Sequence, residues 1–194
     1  MHGWRLTITI ALLLTASCVV IVWQGDGSVD SVRAVLRFTA RTSLILFCLA
    51  YGASALVKLW KGKWTLWLRR NRRYIGVSFG ASHFLHALAI AAFAWLDPVL
   101  FGRVTSLGTF VSAGIAYLFI ALMTVTSFDR TARAIGPKAW NALHGYGSLY
   151  IAITFLVANG MRIPMNIGYA VPVALLAGVM VLRLMARKRV AKAA

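Results

Sequence analysis

Apolar residues run along this chain in stretches of roughly helix-spanning length, divided by short clusters of Gly, Pro, Asp and, above all, Lys and Arg. A bilayer-spanning helix needs about 20 predominantly apolar residues. Six stretches approach that length: about Leu6 to Trp23, Val35 to Trp60, Tyr74 to Trp95, Leu107 to Phe128, Lys138 to Asn159 and Ile167 to Met185. Gly25, Asp26, Gly27 and Asp30 separate the first from the second, and Asp97-Pro98 stops the third. The fifth opens after Gly136-Pro137, where the missing proline N–H costs nothing. Pro172 predicts a kink inside the sixth. No fixed-period repeat and no low-complexity segment interrupts the series. The pattern predicts an all-α membrane protein, a six-transmembrane-helix bundle forming one transmembrane domain over residues 1–194.

Composition sharpens this picture. The chain is 60% hydrophobic and 13% charged, too few charges to cover a soluble core of this size. The net charge is +17, from 21 Lys and Arg against 4 Asp and no Glu. Nucleic-acid binding would need a soluble basic face, whereas these cations sit in short connections. Lys58, Lys61, Lys63, Arg69, Arg70, Arg72 and Arg73 lie between the second and third stretches. Arg130, Arg133 and Lys138 lie between the fourth and fifth, and Arg187, Lys188, Arg189 and Lys192 end the chain. The alternate connections carry only Arg33, Arg37, Arg103 and Arg162, with Asp26, Asp30 and Asp97. The positive-inside rule therefore predicts a multi-pass protein with both termini in the cytoplasm and basic loops against anionic lipid.

Few residues are left for chemistry. The four Asp lie near helix ends, and no phosphate loop, HExxH or nucleophile elbow occurs, so hydrolysis and a carboxylate proton relay have no members. Cys18 and Cys48 lie within apolar runs without a CxxC, and read as packed thiols. Cys18 also ends a faintly lipoprotein-like Leu14-Thr15-Ala16-Ser17-Cys18. Of four histidines, His2 is terminal, while His83, His86 and His144 fall inside apolar stretches, where ionisable groups are costly and default to functional candidates. His83 and His86 share one helix face. Two readings stand for them: hydrogen bonds to neighbouring helices, or axial ligation of haem iron, for which neutral imidazole is a standard donor. Gly76, Gly80, Gly145 and Gly147 flank these histidines and suit either close helix packing or a flat macrocycle.

The run Arg72-Arg73-Tyr74-Ile75-Gly76, ahead of His86, resembles the entry to the third helix of the ferric reductase-like transmembrane family. It is especially similar to the MsrQ/YedZ group, the haem-binding membrane subunits of a bacterial methionine-sulfoxide reductase system. Thr126-Ser127, Gly136, Trp140, Leu143-His144 and Tyr150 resemble a second family stretch, and Phe38-Thr39 resembles its second helix. The likeness spans about Phe38 to Val157. It implies a cytochrome b-like electron carrier of the bacterial inner membrane, with His86 and His144 matching the family's haem histidines as axial iron ligands. One further family histidine is missing, because Val157 stands 13 residues after His144. This departure favours one haem b over two and leaves His83 as the alternative ligand. On helix rise, His86 lies about 20 Å beyond Arg73, His83 about 15 Å, and His144 about 10 Å beyond Pro137.

Arg33, Arg37 and Arg41 form a stripe that reads as snorkelling cations, with Arg41 the candidate partner for a haem propionate or a quinone oxygen. Trp60, Trp64 and Trp67 read as an interfacial belt, with a quinone site the sharper alternative. The resulting expectation is the electron-transfer subunit of an oxidoreductase rather than a complete enzyme. Quinol or a cytosolic flavin would supply electrons, and an outer acceptor or a periplasmic reductase partner would receive them. The alternative is a cofactor-free assembly factor or small transporter with structural histidines.

Overall fold

The computed structural model describes residues 2–191, and its regular structure within them is entirely helical. The helices are α1 (Trp4–Gln24), α2 (Val29–Leu59), α3 (Lys63–Leu96), α4 (Pro98–Val104), α5 (Leu107–Val125), α6 (Asp129–Gly160) and α7 (Ala170–Ala191), with a 3₁₀ turn at Ile167–Tyr169. Lys192 of the basic tail lies outside the described residues.

Local chemistry accounts for the boundaries. Ser28 caps α2 by accepting from Ser31 N, and Ser106 caps α5 by accepting from Thr109 N. Asp97 caps the short α4 through Leu100 N, with Pro98 at its first turn. The sequence pattern does not anticipate α4. It also starts α3 too late, because hydropathy marks only the apolar part. Residues 63–73 hold Lys, Leu, Trp and Arg with neither Gly nor Pro, so the helix continues through them. Gly136 adopts φ +75°, a left-handed conformation suited to glycine, and breaks α6 into a short amphipathic turn and a long helix from Pro137.

Six spanning helices were expected; by length and composition five qualify, namely α1, α2, α3, α5 and residues 167–189. The long part of α6 falls short because His144, Gly145, Tyr146, Gly147, Tyr150 and Asn159 dilute its apolar content.

Helices α2, α3, α5, α6 and α7 pack in a closed ring, and α1 lies outside it against α2 and α3. No close packing joins α3 to α6; the space between them is filled by side chains. Phe47, Phe79 and Phe155 meet there with ring centroids 5.4 to 6.3 Å apart, surrounded by Leu44, Ile120, Ile151 and Leu176.

Polarity is inverted relative to a soluble bundle. Thr39, Ser43, Ser78 and Ser82 are fully buried, while Leu12, Leu118 and Phe110 are about 60% exposed or more. Ser43 Oγ donates to Ser82 Oγ at 2.9 Å across α2 and α3. Small hydroxylated residues that let helices approach and bond one another are the packing device of membranes, and the apolar outer face matches lipid.

The start of α1 and the end of α7 both meet the α2–α3 pair at one end of the bundle. Gly3 N donates to Asn71 Oδ1 at 3.1 Å, and Arg189 Nη1 donates to the Leu59 carbonyl at 3.2 Å. At that same end Arg73 pairs with Asp129 at 2.7 Å, tying α3 to the start of α6. The basic segments therefore converge on one end of the bundle.

The contact of α5 with α6 depends on Gly147. A Cβ there would lie 2.8 Å from Met123 Sδ and 2.9 Å from Phe119 Cδ1, whereas one on Gly145 meets nothing within 4 Å. We expect Gly147→Val to lower the thermal midpoint in detergent, at a cost of about 1–3 kcal/mol from overpacking. Gly145→Ala should leave the midpoint unchanged within error, and equal midpoints for the two variants would contradict this packing.

Candidate functional site

A cavity of about 360 Å³ opens inside the ring at its basic end. Phe47 and Tyr51 of α2, Gly76 and Phe79 of α3, and Ile120 and Met123 of α5 form its largely apolar wall, with His144 and Ser148 of α6. Arg72, Arg73, Asp129 and Trp140 form its polar mouth. At this volume it lies at the lower end of pockets that hold organic ligands.

His144 is fixed from two sides. Its ring stacks on Trp140 with centroids 4.0 Å apart, and Trp140 Nε1 donates to the Thr126 carbonyl at 2.9 Å. Its Nε2 lies 3.1 Å from Thr126 Oγ1. That hydroxyl gives its single proton to the Leu122 carbonyl at 2.7 Å, so it accepts from His144 Nε2–H. The lone pair of the imidazole then belongs to Nδ1, by donor accounting.

The same device recurs in the opposite half of the bundle. His86 Nδ1 lies 2.8 Å from Thr39 Oγ1, whose proton goes to the Val35 carbonyl at 2.7 Å. His86 Nδ1–H therefore donates and Nε2 keeps the lone pair. An outer hydrogen bond that sets the tautomer and aims the other nitrogen is how proteins prepare histidine as a ligand. His83 packs among Phe79, His86, Tyr117 and Phe155, with centroids 5.0 to 5.8 Å away. Its Nδ1 and the neighbouring Tyr117 hydroxyl are buried without a hydrogen-bond partner.

The expected ligand pair is not assembled. His83 and His86 do not line the cavity that holds His144. His83 packs on Phe155, eleven residues beyond His144 along α6, a rise of about 16 Å. The α3 wall of that cavity is Arg72, Arg73, Gly76 and Phe79, and Gly76 lies about 10 Å of helix rise below His83. The depth mismatch expressed in the sequence is thus real, and the Phe47–Phe79–Phe155 cluster separates the two halves. Val157 is 53% exposed and offers nothing to either half. Arg41 also departs from expectation. It is exposed on α2 two positions beyond Thr39, which puts it on another face from the one meeting His86. The arginines at the cavity are instead Arg72 and Arg73.

Arg72 is half-buried and donates to Ser54 Oγ at 3.3 Å. Arg73 binds Asp129 through Nη1, while its buried Nε has no partner. Arg183 sits 3.8 Å over the Tyr51 ring and donates to the Tyr51 carbonyl. Thr39, Thr126 and Tyr117 were missed as site residues. The two threonines stand within the motifs quoted above, but only their hydrogen bonds reveal a role, and nothing in the local pattern marks Tyr117. Among the described residues, no three His, Cys, Asp or Glu side chains gather as a metal-binding group.

No protein-family model, curated protein or solved structure matches the chain.

If Thr126 is the acceptor for His144, Thr126→Val leaves a buried N–H unpaired, at a cost of about 1–3 kcal/mol, and Thr126→Ser restores the bond. Thermal unfolding in detergent should rank Thr126→Ser near wild type and Thr126→Val below it. The reverse order would remove the hydrogen bond from the account of His144.

Proposed function

We propose that the protein is a haem b-carrying electron-transfer subunit of the bacterial cytoplasmic membrane, of the ferric reductase-like kind. Its electrons would come from quinol or a cytosolic flavin donor, and an outer acceptor or reductase partner would take them. The observation that carries this reading is His144, a tautomer-fixed imidazole lining an apolar cavity between helices whose mouth holds two arginines.

The donor chemistry suits the group. A neutral imidazole would hold iron, and Arg72 with the unpartnered Nε of Arg73 would take carboxylates at the mouth. Gly76 leaves open space where a side chain would obstruct a flat ring, since a Cβ there meets nothing within 4 Å. What does not fit is clamping of one iron between His144 and either α3 histidine. The reading therefore rests on His144 as ligand, not on the expected pair with His86 or His83. When bound, haem b supplies a one-electron ferric–ferrous couple within hydrocarbon. The chain's own part is to hold the His144 ring between Thr126 and Trp140 and to keep water out with Phe47, Phe79 and Ile120.

A cofactor-free reading retains one specific support. His86 and His144 each have a threonine partner, so packing alone can satisfy one nitrogen of each. A pyridine-haemochrome assay with protein quantitation separates the readings. We expect about one haem per chain, a reduced b-type band, and loss of that band in His144→Ala but not in His83→Ala or His86→Ala. Colourless protein from haem-replete cells would favour the cofactor-free reading. Full haem in His144→Ala would move the ligand to the other half of the bundle.

The topology proposed is six crossings with both termini cytoplasmic. Its support is that Gly3 meets Asn71 in the early turns of α3 and Arg189 meets Leu59 at the end of α2, at one end of the bundle, which requires an even number of crossings. With five helices qualifying on composition, α6 supplies the sixth. The converging arginines and lysines set the cytoplasmic side. Reporter fusions at residues 26, 105, 133 and 188 should read outside, outside, inside and inside, and opposite signs for 133 and 188 would discard either α6 or α7 as a crossing.

A further inference from the structure

The geometry points to a second site, in the half of the bundle away from the cavity: His83 and His86 of α3 and Tyr117 of α5 bind one divalent transition-metal ion of the copper and zinc class. This site stands independently of the haem reading, which uses none of the three residues.

Unmatched buried polar atoms carry the inference. His83 Nδ1 and the Tyr117 hydroxyl are both buried without a hydrogen-bond partner. Polar groups in that condition call for a bound ion or water. Of the rings packed on His83, Phe79 and Phe155 bring no polar atom, whereas His86 and Tyr117 do.

Spacing and donor chemistry agree. His83 and His86 are three residues apart and share one face of α3, the spacing at which carboxylate-x-x-histidine pairs hold metals in helix bundles. Metal–imidazole bonds of about 2.0–2.1 Å set the centres of two ligating rings roughly 4.5 to 6 Å apart. Here the two imidazole centres are 5.4 Å apart, and the Tyr117 ring lies 5.0 Å from His83. Thr39 Oγ1 holds His86 Nδ1–H at 2.8 Å. That leaves Nε2 as the ligand atom and supplies the outer hydrogen bond that metal-binding histidines use. Two imidazoles and one oxygen suit copper(II) and zinc(II), copper the more tightly. A dication at membrane depth needs charge compensation. Tyr117 provides it by releasing its hydroxyl proton on binding and ligating as phenolate, which lowers the net charge of the site to +1 and ties α5 to α3.

Copper(II) is the probe, added in air to detergent-solubilised protein as purified, with His2→Ala in every sample to remove an exposed histidine. After dialysis we expect one copper ion per chain and a phenolate-to-copper charge-transfer band. Copper-edge X-ray absorption, which haem iron does not disturb, should show two imidazoles. Tyr117→Phe should remove the band and keep both imidazoles at lower affinity. Thr39→Val, which takes away the outer partner of His86, should weaken binding about ten-fold. His83→Ala should lose the ion and keep its haem, and His144→Ala should keep the ion. Should His83→Ala not accumulate, the wild-type absorption spectrum and Tyr117→Phe still decide. Wild-type protein that retains no copper, or retains it without imidazole ligands, overturns this proposal and leaves the haem reading untouched. Loss of haem in His83→Ala overturns it as well, because that imidazole then belongs to the haem. Copper bound as expected by protein devoid of haem upholds this site and removes only the electron-carrier reading.

Discussion

A polar side chain in hydrocarbon has no water to turn to, so each one must find its partner within the protein or leave the membrane. The interior of this bundle is organised by that requirement. Thr39, Ser43 and Ser82 are fully buried and bond across α2 and α3, where nearly all-apolar neighbours would leave them unmatched. The same demand fixes the histidines. Thr39 and Thr126 give their protons to carbonyls one turn back in their own helices, and so act as acceptors for His86 and His144. Imidazoles constrained in this way each keep one lone pair for a further partner. His83 and Tyr117 stand out by contrast, for each buries a polar atom with nothing to bond.

The ring of five helices explains why the two histidine elements stay apart. Because α3 and α6 do not pack closely, large side chains fill the centre, and Phe47, Phe79 and Phe155 occupy its middle. Below this aromatic plug lies the cavity with His144 and the arginines; above it lie His83, His86 and Tyr117. The mouth of the cavity is at the end where the basic segments converge. An anionic edge of a ligand would meet guanidinium groups there, and an apolar body would meet Phe47, Phe79 and Ile120. The opposite half offers the imidazoles of His83 and His86 beside Tyr117.

Much of this could be read from the residues alone. Helix rise already separated His83 and His86 from His144, and the coordinates widen that separation rather than remove it. Resemblance to a family of haem carriers directed attention to His86 and His144 together, but similar motif order does not guarantee a shared slot. Arg41 was singled out for its depth along α2, yet depth says nothing about which face it occupies. Thr39 and Thr126 were legible as parts of motifs and illegible as partners, since their role depends on residues 47 and 18 positions away. The short helix α4 and the basic start of α3 escaped because hydropathy reports what lipid tolerates, not where backbone hydrogen bonding stops.

Local chemistry in the sequence determined that the chain is helical, that its outer surface is apolar, where most helices begin and end, and which few residues could carry chemistry. Those properties follow from composition, capping and side-chain polarity within a turn or two of each position. Tertiary structure alone decided which histidine meets the cavity, which arginines stand beside it, and that α1 starts and α7 ends at the same end of the bundle. These depend on how far five helices slide and rotate against one another. That sum of many small packing contacts is not encoded at any single position.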